Sequence, residues 1–159
     1  MSPKQSKEDS YLDIRSMALT MPAGQFEIDA SSELEPYGVV LDWNVGKGVA
    51  TFTAFKSGDA SMYTSTGGGI IGGVGHDNVK LAAQSLVRKS KNFINNAKKT
   101  DDISVARNGT VKFFFLTTNG RFVSEETLNN LDNGSSEWLE LFIEANKLIT
   151  ELRAVGEPN

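Results

Sequence analysis

Three stretches of alternating apolar residues, joined by very short connections, constrain the fold more than any other feature of this sequence. They cover residues 37–43, 49–55 and 60–65, and β-branched and aromatic side chains are frequent in them. The connecting residues 46–48 and 57–59 contain the glycine and polar residues that are typical of tight turns. Parallel neighbours need a crossover of roughly a dozen residues or more. The three stretches therefore predict consecutive antiparallel strands.

Two more strands are predicted in the second half of the chain. Residues 110–117 are apolar on both faces, which is typical of a strand near the centre of a sheet. Asn119 and Gly120 then form a strong hairpin signal, and residues 121–123 return as the next strand. The sequence therefore predicts five strands in one antiparallel sheet.

Apolar residues recur at helical spacing in three other segments, residues 8–19, 79–97 and 136–153. Asp77 is the predicted N-cap of the second of these helices, the main helix, and Ser124 is the predicted N-cap of an additional short helix. The order α-βββ-α-ββ-α predicts an α+β fold in which helices cover mainly one face of a five-stranded antiparallel sheet. Profilin-like and roadblock-like domains are similar in layout, although a likeness in fold transfers no activity.

The length and composition predict one domain over residues 1–159, with short disordered tails at 1–9 and 154–159. The sequence contains no cysteine, which excludes disulfides and thiolate sites. No apolar stretch approaches the roughly 18 residues of a membrane-spanning helix, and the first residues lack the apolar core of a secretory signal. We therefore expect a cytoplasmic protein without a membrane partner, and no cofactor is predicted.

A glycine-rich run over residues 65–77 connects a predicted strand to the main helix. Gly67, Gly69 and Gly72 match the spacing G-x-G-x-x-G, and glycines before a helix can expose backbone N–H groups to a phosphate. However, the preceding strands form a meander, and residues 78–100 contain no acidic side chain. A dinucleotide fold requires a parallel βαβ unit and such an acidic residue, so the match is weak.

Two interpretations of the glycine-rich run stay open. In the first, the glycines allow positive φ angles and close passage of the chain under the main helix. In the second, the run and the helix N-terminus bind a small anionic ligand. The candidate ligand-binding residues are Gly67, Gly68, Gly69, Gly72, Gly73, His76 and Asp77.

The single histidine, His76, is the only obvious candidate for a general base, beside Ser65, Thr66 or Asp77. No nucleophile-elbow motif surrounds it, so a hydrogen bond to the loop backbone is the simpler role. One histidine and no cysteine also leave a zinc site without its usual ligands. No catalytic residue and no metal ligand is predicted.

Six cations lie on the main helix and its C-terminal flank, with no acidic residue until Asp101. They are Lys80, Arg88, Lys89, Lys91, Lys98 and Lys99. The formal net charge is −4, and no aromatic residues alternate with these cations as in a platform that stacks bases. A solvated helix face is therefore predicted, and no nucleic-acid partner.

The C-terminal helix has more apolar residues than one sheet-facing stripe uses. Leu139 and Ile143 lie outside the stripe, and their spacing of four places them on one second ridge. A symmetric homodimer is the simplest assembly that buries such a ridge. The alternative is that both residues pack inside the protomer, because isolated surface apolar residues are ordinary.

Four segments of the sequence resemble a family of small uncharacterised bacterial proteins. They read Val40-Leu41-Asp42-Trp43, Gly48-Val49-Ala50-Thr51, Ala60-Ser61-Met62-Tyr63 and Ser65-Thr66-Gly67-Gly68-Gly69-Ile70-Ile71-Gly72-Gly73. The resemblance implies a bacterial domain of the cytosolic type. It implies no activity, ligand or catalytic residue at any position.

Few catalytic side chains and abundant apolar patterning together favour a non-enzymatic binding or regulatory module. Such a module acts through protein contacts, either with an unidentified partner or with a second copy. The alternative is a small anionic-ligand-binding domain that uses the residues 67–75 and the helix N-terminus that follows.

Overall fold

The computed structural model describes residues 6–26, 34–72 and 75–156, and these form an α+β fold. The described helices are α1 (Lys7–Leu19), α2 (Asp77–Ser90), α3 (Leu128–Asp132) and α4 (Leu139–Gly156). The described strands are β1 (Pro36–Asn44), β2 (Val49–Phe55), β3 (Ala60–Thr64), β4 (Gly69–Gly72), β5 (Lys98–Lys99), β6 (Thr110–Thr117) and β7 (Gly120–Thr127). None of the described helices has the length and hydropathy of a membrane-spanning segment.

All seven strands belong to one open antiparallel sheet with the order β4-β3-β2-β1-β6-β7-β5. The predicted meander is confirmed as β1 to β3, and the predicted hairpin at Asn119 and Gly120 is confirmed as β6 and β7. The central strands β1 and β6 are almost fully buried, because helices cover both faces of the sheet. The two edges of the sheet are β4 and β5.

Alternation along the strands divides the core between the two faces. On one face Leu41, Phe113 and Phe115 pack with α2, α3 and α4. Trp138 stacks on the ring of Phe113 and is tilted against the ring of Phe115. On the other face a smaller cluster around Phe114 packs against the C-terminal half of α1. Three described helices therefore contribute to the larger cluster and α1 to the smaller one.

The prediction of five strands is wrong, because two short edge strands were missed. β4 lies inside the glycine-rich run, and β5 lies where the sequence predicted the end of the main helix. That helix, α2, ends at Ser90. Phe93 and Ile94 keep helical spacing and contact the core, but they do so from turns that follow the helix.

The two predicted N-caps are also wrong. His76 is the N-cap residue of α2, without a side-chain hydrogen bond, and Asp77 is the first helical residue. Ser124 lies inside β7, because pairing with β6 continues to Thr127. The Thr127 hydroxyl instead caps α3 by accepting the N–H of Asn130 at 3.1 Å.

Both predicted tails overlap helices. The N-cap Ser6 accepts the N–H of Asp9 at 3.0 Å, and α1 begins at Lys7. At the other end α4 continues to Gly156. Residues 7–9 and 154–156 are therefore helical rather than disordered.

A buried ion pair attaches α1 to the sheet. Arg15 donates to both carboxylate oxygens of Asp42, at 3.1 Å and 2.7 Å, and both side chains are almost fully buried. Thr51 donates its hydroxyl to the same carboxylate at 2.7 Å, and Tyr11 is hydrogen-bonded to Thr51. Burial raises the pKa of the Tyr11 hydroxyl to about 12, so the phenol stays neutral.

The Arg15 guanidinium also holds the loop that precedes β6. Its nitrogens donate to the carbonyl oxygens of Ile103 and Ser104, and the Ala106 N–H donates to Asp42 at 3.3 Å. One charged pair therefore joins α1, two strands and a loop. Because every polar atom of the pair has partners, its desolvation is compensated by hydrogen bonds.

A second buried carboxylate, that of Glu144, joins α2 to α4. Ser85 donates to one oxygen at 2.6 Å, and Lys89 and Lys147 lie 3.4 Å and 3.3 Å from the other. The hydrogen bond from Ser85 lowers the pKa of Glu144 below its ordinary value, although burial opposes this shift. The ionised form of Glu144 is thus the form that stabilises the helix pair.

We expect Glu144 to contribute to acid sensitivity. A carboxyl whose pKa is lowered by folding stabilises the protein above the pKa of the unfolded chain, and this contribution is lost as the pH falls through the folded value. Replacing Glu144 with glutamine should destabilise the protein at neutral pH, and the difference from the parent should shrink below about pH 4. Urea unfolding at several pH values measures it. A difference that is constant down to pH 3 would contradict the role of ionisation.

Candidate functional site

The glycine-rich run divides into separate structural parts. Gly67 and Gly68 form the turn between β3 and β4, with φ angles of +98° and +115°. Gly69 and Gly72 are the first and last residues of β4, and Gly73 lies outside the described residues. A strand of four residues extends over roughly 10–13 Å. The predicted ligand-binding glycines therefore do not surround one point.

His76 and Asp77 lie beyond the other end of β4, at the start of α2. Both are exposed, and the His76 imidazole has no hydrogen bond to another described residue. His76 shares a cleft with Gly72, whereas Gly67 and Gly68 line a different cleft beside the start of α1. The structure does not bring the two halves of the predicted anion site together.

Two buried polar clusters of the described residues are closed by their own hydrogen bonds. The hydroxyls of Thr53 and Ser61 are paired at 2.5 Å, and the carboxylate of Asp42 is fully bonded. The described residues contain no group of three histidine or acidic side chains that could hold a metal ion.

The six predicted cations are distributed over different surfaces. Lys89 pairs with Glu144, Lys91 pairs with Glu35 at 3.2 Å, and Lys98 and Lys99 form the edge strand β5. They do not form one continuous basic face of a helix.

The predicted ridge on α4 is only partly exposed. Ile143 is 49% exposed, but Leu139 at the start of the helix is half-buried. The larger exposed apolar side chains lie elsewhere, and the most exposed of those described is Ile71 of β4, at 76%. The edge strand β4 therefore exposes a larger part of an isoleucine side chain than α4 does.

The outer side of β4 offers free backbone groups for another strand. Thr64 donates its N–H to Gly68 at 3.3 Å, which makes these two a hydrogen-bonded pair. In an antiparallel ladder the direction of the backbone groups alternates, so Ile70 and Gly72 also point toward β3. Gly69 and Ile71 therefore point their N–H and C=O groups away from the sheet.

The two edges of the sheet differ in how they are protected. The β5 edge consists of two exposed lysines, and short charged edges of this kind discourage pairing with other chains. Further along β7, near its end, Glu125 forms an ion pair with Arg107. The β4 edge, Gly69–Gly72, has no charged residue and no proline, and it is the side on which Ile71 is exposed. Within the described part of the chain, it is the edge without such protection.

Sequence reasoning missed the β4 edge because it treated the glycines as a loop. The signal that identifies it is the pair Ile70 and Ile71, two β-branched residues between glycines. Their side chains fall on opposite faces of the sheet: Ile70 is half-buried near Gly156 of α4, and Ile71 is exposed.

Comparisons with known proteins add no relative from which a function can be transferred. No family model, curated protein or solved structure matches the chain. The resemblance to a family of small bacterial proteins therefore stays a prediction.

Proposed function

We propose that this protein is a non-enzymatic binding module that acts through protein contacts, and that the β4 edge is its contact surface. The observation that carries the proposal is the outward direction of the backbone groups of Gly69 and Ile71 at an uncharged edge. Exposed edges of this kind bind an additional strand through main-chain hydrogen bonds. The large exposed side chain of Ile71 supplies apolar contact beside those bonds.

The occupant that the register favours is β4 of a second copy. When two β4 strands pair antiparallel about an axis through Ile70, Gly69 of each copy lies opposite Ile71 of the other. The outward groups of these two residues then form reciprocal hydrogen bonds. The ring of Tyr63 lies over Gly69, so Ile71 of the other copy would contact this ring on the same face. The contact is isologous and closes with two copies.

This association is expected to be weak. The strand has only four residues, and contacts well below about 1,200 Å² belong to transient encounters rather than to permanent dimers. The module would therefore exchange between monomer and dimer as its concentration changes. In the monomer, the β4 edge is also free to pair with an extended segment of another protein.

Two isoleucine variants test which surface carries the contact. Replacing Ile71 with lysine places a charge at the β4 edge, and we expect it to abolish self-association without a change of fold. Replacing Ile143 with lysine is the matched control on α4, since it changes an exposed isoleucine on the surface that the sequence predicted. Light scattering after size exclusion, from about 10 µM to about 1 mM, measures the mass of each variant.

The outcomes are distinct. Loss of the dimer in the Ile71 variant alone supports the β4 edge. Loss in the Ile143 variant alone contradicts it and favours the predicted α4 homodimer. A monomeric parent over the whole range also contradicts the proposal.

A further variant, Ile71→Pro, removes an outward N–H that is not bonded to β3. It should abolish self-association as Ile71→Lys does.

The alternative function, binding of a small anion by residues 67–75, is not supported by the positions of the glycines. Gly67 and Gly72 lie near opposite ends of β4 and do not surround one site. The cytoplasmic location and the likeness to profilin-like and roadblock-like domains stay predictions, and no part of the proposed function rests on them.

A further inference from the structure

A cavity of about 370 Å³ lies on the α4 side of the sheet, beside the turn that joins β1 to β2. Its floor includes Trp43, Ala50 and Thr64, which the strand register places side by side across β1, β2 and β3. Phe52 and Val49 add apolar surface. The cavity exists because the methyl group of Ala50 stands between two larger neighbours. Its volume falls in the range of roughly 300–1,000 Å³ that is usual for small-molecule sites.

The charged groups around this cavity have one sign. The only described charged residues that line it are Lys47, from the turn between β1 and β2, and Arg153, from the end of α4. Both are exposed, and neither forms an ion pair or a side-chain hydrogen bond with another described residue. No carboxylate of the described residues lines the cavity. Two exposed cations beside an apolar surface favour an anionic group at the mouth.

The indole of Trp43 forms one wall of the cavity. Its nitrogen is buried and has no hydrogen-bond partner among the described residues. Because this nitrogen is shielded from solvent, Trp43 offers a bound molecule the apolar surface of its ring.

We propose that this cavity binds a small organic carboxylate with an apolar body. The apolar body lies against Trp43 and Phe52, and the carboxylate lies between Lys47 and Arg153. The site shares no residue with the β4 edge, so the inference does not depend on the proposed function. Charge-assisted hydrogen bonds from the two cations give selectivity for the anion, and the apolar walls give affinity.

Decanoate is a suitable probe, and 1-decanol is its neutral counterpart. Titration calorimetry with decanoate should give saturable binding of one molecule per chain, with a Kd between about 1 µM and 100 µM. Decanol should bind at least about tenfold more weakly, because it leaves both cations without a counter-charge. The fluorescence of Trp43 should change in parallel with the binding heat.

Two variants assign the binding to the cavity. The double variant Lys47→Gln, Arg153→Gln should weaken decanoate binding about tenfold or more and leave decanol unchanged. The matched control, Arg88→Gln, removes an exposed cation of α2 far from the cavity and should have no effect. Ala50→Leu fills the cavity and should abolish binding of both probes, with a thermal melt to confirm that the variant folds.

Three results would overturn the inference. They are the absence of saturable decanoate binding, equal affinity for decanoate and decanol, and binding that the double variant leaves intact. If Ala50→Leu fails to fold, the double variant still decides the assignment. None of these results changes the test of the β4 edge, because that test measures mass rather than ligand binding.

Discussion

Replacing Asp42 with alanine is expected to lower the free energy of unfolding by about 3–5 kcal/mol. The reason is that the change leaves the guanidinium of Arg15 buried without its counter-charge, since only carbonyl oxygens of the loop before β6 still accept from it. It also leaves the hydroxyl of Thr51 and the N–H of Ala106 without their acceptor. Urea unfolding, monitored by circular dichroism, measures the loss.

A double variant separates the charge from the packing. Replacing Arg15 with methionine and Asp42 with leucine removes both charges and keeps apolar volume, so it should cost much less than the single change. If Asp42→Ala costs under about 1 kcal/mol, the ion pair does not attach α1 to the sheet as described.

Replacing Gly72 with valine is expected to destabilise the fold by about 1–3 kcal/mol through overpacking. Gly72 has no positive φ, so its conformation alone does not require glycine. Instead, a Cβ atom at this position would lie 3.0 Å from both Leu152 and Val79. The cost is therefore steric, and Gly72→Ala should cost clearly less than Gly72→Val.

Gly75 provides the opposite case. Its φ is +79°, and no described atom lies within 4 Å of an added Cβ. Alanine should therefore already cost about 1–2 kcal/mol there, because L-residues are strained in this region. Thermal melts of Gly72→Val, Gly72→Ala and Gly75→Ala compare steric overpacking at Gly72 with backbone strain at Gly75. If Gly72→Val melts like the parent, β4 is not packed against α4 and α2.

The strands that could be predicted are those whose local signals agree. In β1 to β3 the alternation, the short turns and the β-branched residues indicate the same structure, and the triple phenylalanine of β6 indicates burial. β4 could not be predicted in this way, because glycine disfavours strands locally. β4 pairs with β3 across a short turn, but the contact of Ile70 with the end of α4 is distant in sequence.

The candidate sites depend on strand registers, which residue types alone do not specify. The direction of the Gly69 and Ile71 backbone groups follows from the register with β3, and the sequence does not state that register. The cavity near Trp43 likewise arises because Ala50 lies between Trp43 and Thr64 across the sheet. Residue types alone predicted a binding module with a contact surface on α4, whereas the β4 edge that we propose instead follows from the strand register.

The most direct test of the β4 edge is hydrogen exchange of its backbone amides, measured by NMR as the protein concentration increases. The Ile70 amide is bonded to β3 within the protomer, so it should be protected at every concentration. The amides of Gly69 and Ile71 should exchange rapidly in the monomer and become protected as the dimer forms. Fast exchange of both amides in a sample that light scattering shows to be dimeric would contradict strand pairing at β4.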